Sequence, residues 1–279
     1  MIVILTVKER GYEAKNGQIL NKLPPLVSCQ RKHNIVIGKL RLTAYSENIS
    51  SSAESLKLFI TGDILNEICD HTNAEGSSQI PNLWKEFSSE EFLAFLDLCT
   101  VSGVLTTRKE PVTTLWTAKT AYARLIFHAT MARNRFFQIL HVILFDDKTT
   151  RNQWRSTDEL APIRDVFKSI ISRFPMVYTP NKLITTDEKL VVFTGKCLFR
   201  VFIKSKQGKH GIKLWVADEA KTFYVCNMQV YTGKNDGVRE KKQGLQVVKD
   251  MVRHLYGTRR RVTTDNFFTS CELANLLFD

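Results

Sequence analysis

The sequence predicts a mixed α/β protein, with a mainly helical half at residues 55–178 and an α/β half at residues 179–279. In the first half, apolar residues recur three or four positions apart over several long stretches. In the second half, runs rich in Thr and Val alternate with helical stretches in the order β, β, β, α, β, α. Of the 279 residues, 43% are hydrophobic and 10% aromatic, which is the composition of a globular protein.

The first 54 residues show no sustained periodicity, and we expect this segment to be extended or poorly ordered. Its opening, MIVILTV, is either a buried strand or a disordered start. It is too short for a signal-peptide core, and no basic region precedes it. The Ser-rich stretch at 46–55 is typical of a linker.

Four helical stretches are predicted in the first half. The second has a clear start, because Ser88 followed by Glu91 three residues later is the pattern of a capping box. Trp84, Trp116 and Trp154 are expected to pack inside this half. The four stretches begin at Leu56 (with a break between Asn73 and Pro81), at Ser88, near residue 131 and near residue 160.

The third helical stretch opens with Arg133, Asn134 and Arg135. A cation at the N-terminus of a helix interacts unfavourably with the helix dipole, so we expect these side chains to pair with an anionic group. One interpretation is contact with phosphate, which helix N-termini also favour. The other, which we prefer, is a structural salt bridge to Asp146 or Asp147.

The second half is predicted to contain four strands and two helices. A strand at 212–217, a polar turn at 218–222 and a strand at 223–231 together indicate a hairpin. The first and fourth strands can lie parallel and adjacent in one sheet. The remaining elements are a strand at 184–193, a helix at 244–256, a strand at 261–265 and a helix from Ser270.

Most of the excess charge lies around two acids at strand ends, Asp187 in TTDEKLVVF and Asp265 in RVTTDNFF. Residues 181–265 contain 18 Lys or Arg against 8 Asp or Glu, a balance of +10, and the whole chain is only +12. This pattern suits a metal held by carboxylates beside a phosphate backbone held by lysines. The alternative is a basic surface with two aspartates in turns. Glu188 is either an acid supporting such a site or a solvated neighbour.

Two basic groups in this segment are candidates for contacts with nucleic acid. In each case the alternative is a solvated surface. Arg259, Arg260 and Arg261, which we call the Arg triplet, are also a weak candidate for a nuclear-localisation signal. The candidates are Lys204, Lys206, Lys209, His210, Lys213, Arg259, Arg260 and Arg261.

Composition also disfavours several functional classes. No apolar run approaches the roughly 18–20 residues of a membrane-spanning helix. The six cysteines are scattered, with no paired spacing typical of a zinc site, and are expected to be reduced thiols of an intracellular protein. The pI near 9.4 favours a polyanionic partner, and nucleic acid more than membrane.

Long ordered blocks of the chain resemble the piggyBac-type DDE transposases. They include DEKLVVFTGKCLFRVFIKSKQGKHGIKLWVADEAKTFYVCNMQVYTGK and VTTDNFFTS in the second half, and SGVLTTRKEP, HATMARNRF and TDELAPIRDVF in the first. Weaker similarity extends upstream to RKHNIV at 31–36, so the resemblance covers about residues 30–279.

The resemblance implies a cut-and-paste DNA transposase. It implies an RNase H-like catalytic domain, preceded by a helical domain for DNA binding and dimerisation, in a nuclear protein. By motif, Asp187 and Asp265 match the first two of three aspartates that hold Mg²⁺ in the family.

The third aspartate has no counterpart here, because the chain ends at Asp279, fourteen residues after Asp265. From this we expect a truncated and inactive relative with weak or absent Mg²⁺ binding, and a sheet edge left bare beyond strand 261–265. Whether the chain is an enzyme stays open at this point. The alternative is a domesticated, non-catalytic protein that binds DNA or regulates.

Overall fold

A computed structural model of the chain describes residues 2–5, 36, 41–105, 107, 110–117, 124–154, 158–233 and 242–278. It confirms the mixed α/β class. The chain forms two compact units, which we call the helical unit, Ser51–Ile170, and the sheet unit, Met1–Ser50 with Ile171–Asp279. Most of the segment 1–54, including nearly all of RKHNIV, lies outside the described residues.

The helical unit contains six helices and the start of a seventh in its described part. Short 3₁₀ turns at Val112–Trp116 and Ala161–Ile163 connect some of them. The α-helices are α1 (Ser52–Phe59), α2 (Gly62–Gln79), α3 (Ser89–Val104), α4 (Leu125–Thr130), α5 (Arg133–Val142), α6 (Arg151–Trp154) and α7 (Arg164–Val177).

Two predictions for this unit are corrected. The Ser-rich stretch contains the start of α1, where Ser51 and Glu54 form a reciprocal capping box. The helix predicted to break at Asn73 continues to Gln79. It continues because the Asn73 side chain bonds to the following loop, accepting from Phe87 N at 2.8 Å and Trp84 Nε1 at 3.1 Å. It therefore does not compete for the backbone of its own helix.

The core of the helical unit is aromatic and aliphatic. Phe127 and Ile139 are fully buried, and the Trp116 ring lies 5.2 Å from that of Phe127. The predicted packing of Trp84 and Trp116 is confirmed, whereas Trp154 is 61% exposed. Ser88 caps α3 as predicted, by accepting from Glu91 N.

The sheet unit is built on one mixed sheet. The elements are β1 (Ile2–Leu5), β2 (Arg41–Leu42), β3 (Tyr178–Thr179), β4 (Leu183–Val192), β5 (Arg200–Phe202), β6 (His210–Glu219), β7 (Val225–Val230), α8 (Gln243–Val252), β8 (Arg261–Thr264) and α9 (Cys271–Phe278). The strand order in the sheet is β1-β8-β4-β6-β5, and β7 also pairs with β6. A separate two-stranded ladder joins β2 and β3.

The predicted arrangement of the sheet is largely confirmed. β4 and β8 are parallel neighbours, and β6 and β7 form the expected antiparallel hairpin. Two differences are local. The three-residue strand β5 was not predicted from the sequence. β6 extends to Glu219, whereas the sequence predicted a turn that begins at Asp218. The Glu219 carboxylate then accepts from Thr222 N at 2.7 Å, which closes a tighter turn.

The expected bare edge beyond β8 is wrong. β1 pairs with β8 in parallel, from Ile2 opposite Arg261 to Leu5 opposite Thr264. The opening residues therefore form a strand, one of the two alternatives from the sequence. They supply the backbone hydrogen-bonding partners that an exposed edge would lack.

The buried face of the sheet packs on α8 and α9. Ile184, Ala217 and Val262 are fully buried on three neighbouring strands, as are Val248 of α8 and Leu273 of α9. Because side chains alternate along a strand, the residues next to each of these three on its own strand point to the opposite face. The acids singled out in the sequence lie on that opposite face.

Candidate metal and nucleic-acid site

Asp187 and Asp265 occupy neighbouring positions on two parallel strands. The pairing of β4 with β8 ends at Thr186 opposite Thr264, so the next residue on each strand is one of the two acids. Both acids are exposed, whereas Thr186 and Thr264 are buried. Since neighbouring strands lie about 5 Å apart, the sheet brings the two carboxylates to one place on its open face.

Each carboxylate is held by backbone donors. Asp187 Oδ1 accepts from Glu188 N at 2.7 Å. Asp265 Oδ1 accepts from Phe267 N at 2.9 Å, which fixes the turn that follows β8. Within the described residues, the hydrogen bonds to both carboxylates fall on Oδ1. The arrangement therefore orients the acids without enclosing them.

The donor type fits a hard cation. Carboxylate oxygens are the ligands that Mg²⁺ prefers, and an exposed pair leaves room for water and phosphate. Asp187 and Asp265 supply two such groups. Across the described part of the chain, no group of three or more His, Cys, Asp or Glu is placed to hold a metal ion.

A third acid, Asp218, lies on the same face of the sheet, where the sequence predicted a turn residue. It pairs with Thr185, two residues before Asp187 on β4. Burial raises the pKa of the Asp218 carboxyl, Lys189 lowers it, and the charge of Asp187 raises it further. The only signal in the sequence was its place in DEAKT, where it looked like a turn residue.

Glu188 points to the other face and has a different role. Its carboxylate lies 3.0 Å from Lys213 Nζ, and both side chains are largely buried. The same ammonium lies over the rings of Trp215 and Phe267, 5.8 and 5.2 Å from their centroids. Lys213 therefore ties β6 to the turn after Asp265. It is a partly buried structural residue in addition to being a candidate for DNA contact.

The other basic candidates of the first group differ in exposure. Lys204 and Lys209 are exposed, and Lys209 adopts a left-handed backbone with φ of 50°. Lys206 is half-buried, and its Nζ donates to Glu188 O at 3.2 Å. His210 is exposed at the start of β6. Lys204, Lys209 and His210 are thus the members of this group most open to a ligand.

The Arg triplet separates in the same way. Arg260 is 2% exposed, and its guanidinium donates to Pro180 O at 2.7 and 3.0 Å and to Asn181 O at 3.1 Å. Its side chain is therefore part of the interior, where a phosphate has no access. Arg259 and Arg261 are half-buried.

The arginines that open α5 also differ from each other. Arg135 makes a bidentate pair with Glu91, with both distances 2.6 Å, and lies 4.5 Å from the centroid of the Trp84 ring. The predicted partner, Asp146, instead pairs with Arg151. Salt bridging is thus the role of Arg135, but with Glu91, whereas Arg133 and Asn134 are exposed.

Among the described residues, no helix is long and apolar enough to cross a bilayer.

Comparison with known proteins gives consistent results. The sequence profile of the Transposase IS4 family matches residues 51–278. The human piggyBac transposable element-derived protein 3 is 24% identical over 230 residues, which are 80% of this chain and 37% of that protein. The human chimeric ERCC6-PGBD3 protein is also 24% identical over 230 residues, covering 80% of this chain and 21% of its own length.

A solved structure shares the fold. It is a piggyBac transposase synaptic complex with hairpin DNA, determined by cryo-EM. Its TM-score is 0.78 at 29% identity, over 87% of this chain and 51% of that one. The chain therefore spans about half or less of the length of each of these relatives.

Proposed function

The chain belongs to the Transposase IS4 family, as its resemblance to piggyBac-type transposases led us to expect, and we propose that it binds DNA and carries two acids of a Mg²⁺-dependent strand-cleavage site. In this proposal residues 179–279 form the RNase H-like catalytic core. The mainly helical region at residues 55–178 supplies DNA binding and dimerisation.

One observation carries the proposal. Parallel pairing of β4 with β8 places Asp187 beside Asp265 on an open sheet face, although the two are far apart in the sequence. Asp187 lies inside β4, not in the turn that the alternative interpretation expects, and Asp265 directly follows β8. The surrounding charge of +10 over residues 181–265 suits the polyanion on which such a site would act.

Asp187 and Asp265 would hold the metal through their carboxylate oxygens. When bound, Mg²⁺ activates the attacking oxygen and stabilises the leaving oxygen in phosphoryl transfer. The turn held by Asp265 Oδ1 and the extended backbone of β4 keep the two carboxylates oriented in advance. Exposed Lys204 and Lys209 would neutralise phosphates of the bound strand.

A second candidate is a non-catalytic DNA-binding protein. Two carboxylates hold Mg²⁺ weakly, and the described residues offer no cluster of three. The basic segment would keep its affinity for DNA without the metal. In this case binding would weaken steeply with salt and would not depend on Asp265.

The experiment that separates the candidates measures binding and cleavage on the same preparation of the full chain. Binding is followed by fluorescence anisotropy over a salt series, and cleavage by nicking of a supercoiled plasmid with Mg²⁺ or with EDTA. The variants are Asp187→Asn and Asp265→Asn, with exposed Asp250→Asn of α8 as the matched control.

Nicking that requires Mg²⁺ and is lost in both site variants, but not in the control, supports the catalytic proposal. Binding without nicking supports the second candidate. A chain that neither binds nor nicks DNA contradicts both. Homodimerisation and nuclear localisation remain proposals, to be measured by sedimentation and by imaging of a tagged chain.

A further inference from the structure

The open face of the sheet continues along β4 away from Asp187. Exposure alternates along this part of the strand: Asp187, Lys189, Val191 and Phe193 are exposed, and the residues between them are partly buried. Side chains two residues apart share a face, so these four residues form one row along the strand. From Asp187 to Phe193 the row is roughly 20 Å long, at about 3.3 Å per residue.

A second row crosses the strands at the far end of this face. Phe193 N donates to His210 O at 3.3 Å, and His210 pairs with Phe202 of β5. Residues directly opposite one another in antiparallel strands point to the same face. Phe193, His210 and Phe202 therefore form an aromatic row across β4, β6 and β5. The rings of Phe202 and His210 lie 4.9 Å apart.

The aromatic row is exposed because the intervening loop covers the other face. A Cβ on Gly208 would lie 2.2 Å from Val192 Cγ2, so the loop between β5 and β6 packs tightly against that side of β4. Phe193 is 37% exposed and Phe202 is 58% exposed. Exposed aromatic side chains arranged in a row are typical of a binding surface.

The charge around the row identifies its partner as an anion. Residues 189–217 contain seven Lys or Arg and no Asp or Glu. Lys189 belongs to the row along β4, and Arg200, two residues before Phe202 on β5, shares the face of Phe202; both are exposed. Rings that stack on bases, together with lysines that neutralise phosphates, are the combination that proteins use to bind unpaired nucleotides.

We propose that Phe193, His210 and Phe202 form a stacking surface for unpaired bases of a DNA strand that extends from Asp187. The surface selects single-stranded or frayed DNA over paired duplex, since bases must leave the helix to stack on the rings. This inference rests on the proposed DNA-binding function and adds to it the form of DNA that is bound beside the two acids.

The test compares a single-stranded oligonucleotide with a duplex of the same sequence, by fluorescence anisotropy with the full chain and EDTA present. Phe202→Leu is expected to weaken single-strand binding about fivefold or more and to leave duplex binding unchanged. Phe202→Tyr keeps a ring and should retain binding. Phe193→Leu should weaken single-strand binding in the same way. The control is Phe223→Leu, an aromatic residue 78% exposed in the turn between β6 and β7.

The outcomes distinguish this inference from the function on which it rests. A wild-type chain that binds neither form of DNA overturns both. Binding of DNA with no loss in Phe202→Leu, or with equal losses for single strand and duplex, overturns the stacking surface alone. Circular dichroism of each variant checks folding. If Phe202→Leu fails to fold, the comparison of Phe193→Leu with Phe193→Tyr decides in its place.

Discussion

Neighbouring basic residues in this chain have different physical roles. The sequence treats Arg259, Arg260 and Arg261 alike, yet the Arg260 guanidinium is buried on the carbonyls of Pro180 and Asn181. Burying a cation costs free energy unless its N–H groups donate hydrogen bonds. The bonds of Arg260 satisfy this need and link the segment that leads into β8 to the segment that leads into β4. Arg260 therefore positions the two strands that carry the aspartates.

We expect Arg260→Met to lower the free energy of unfolding by about 2–4 kcal/mol, since it leaves two carbonyls without their donor. Lys204→Met, at an exposed position, is the matched control and should change stability by less than about 0.5 kcal/mol. Urea denaturation measures both. An equal effect of the two substitutions would show that the interior bonds of Arg260 contribute little.

Asp218 should make stability depend on pH. Its pKa is raised by burial, opposed by Lys189 and raised again by Asp187, so the folded state holds its proton more tightly than the unfolded chain does. Protonated Asp218 therefore adds to the free energy of unfolding at pH values below 3.8, the ordinary pKa of the carboxyl. This contribution is lost as the pH rises through the raised pKa of the folded state.

Asp218→Asn removes this titration. We expect the variant to be more stable than the wild type at neutral pH, with the difference shrinking as the pH falls through the raised folded-state pKa towards 3.8. Denaturation curves at a series of pH values measure the difference. A difference that does not change with pH would contradict the assignment.

At the scale of elements, the sequence predicted those helices and strands in which apolar residues recur with a clear period. The helix predicted at 244–256 is α8 followed by a 3₁₀ turn, because its apolar residues recur along one side. The adjacency of Asp187 and Asp265 was also predictable, since it follows from the order of strands. β5 has only three residues, too few for a periodic signal.

Long-range pairing was not predictable in the same way. Nothing in MIVILTV identifies β8 as its partner, so the pairing of β1 with β8 becomes visible only in three dimensions. The row of Phe193, His210 and Phe202 depends on register as well. A slip of one residue would turn each ring to the other face.

The pairing of β1 gives a prediction for the sheet. Proline cannot donate to a strand ladder, so Val3→Pro combined with Ile4→Pro should detach β1 and expose the edge of β8. We expect a loss of stability of about 2–4 kcal/mol and a greater tendency to aggregate. Urea denaturation and light scattering measure these effects. Unchanged values of both would show that β1 adds nothing to the sheet.

At the scale of the whole molecule, the described residues form two hydrophobic cores. One lies in the helical unit around Phe127 and Ile139, and the other joins the sheet to α8 and α9 around Val248 and Met251. Each core is built from residues of its own unit. Units with separate cores can unfold separately, so a single free energy of unfolding need not describe the chain.

We therefore expect calorimetry to show two transitions, each sensitive to substitutions in one core. Ile139→Ala should destabilise the helical unit by about 2–5 kcal/mol and leave the other transition in place, because it opens a cavity in one core only. Met251→Ala, also buried, should act on the sheet unit alone, and each substitution serves as the control for the other. DNA should raise the transition that Met251→Ala identifies, because the two acids, the exposed lysines and the aromatic row belong to the sheet unit. The DNA binding proposed for the helical unit would raise the transition that Ile139→Ala identifies as well. A single transition lowered by both substitutions would instead show that the two units unfold together.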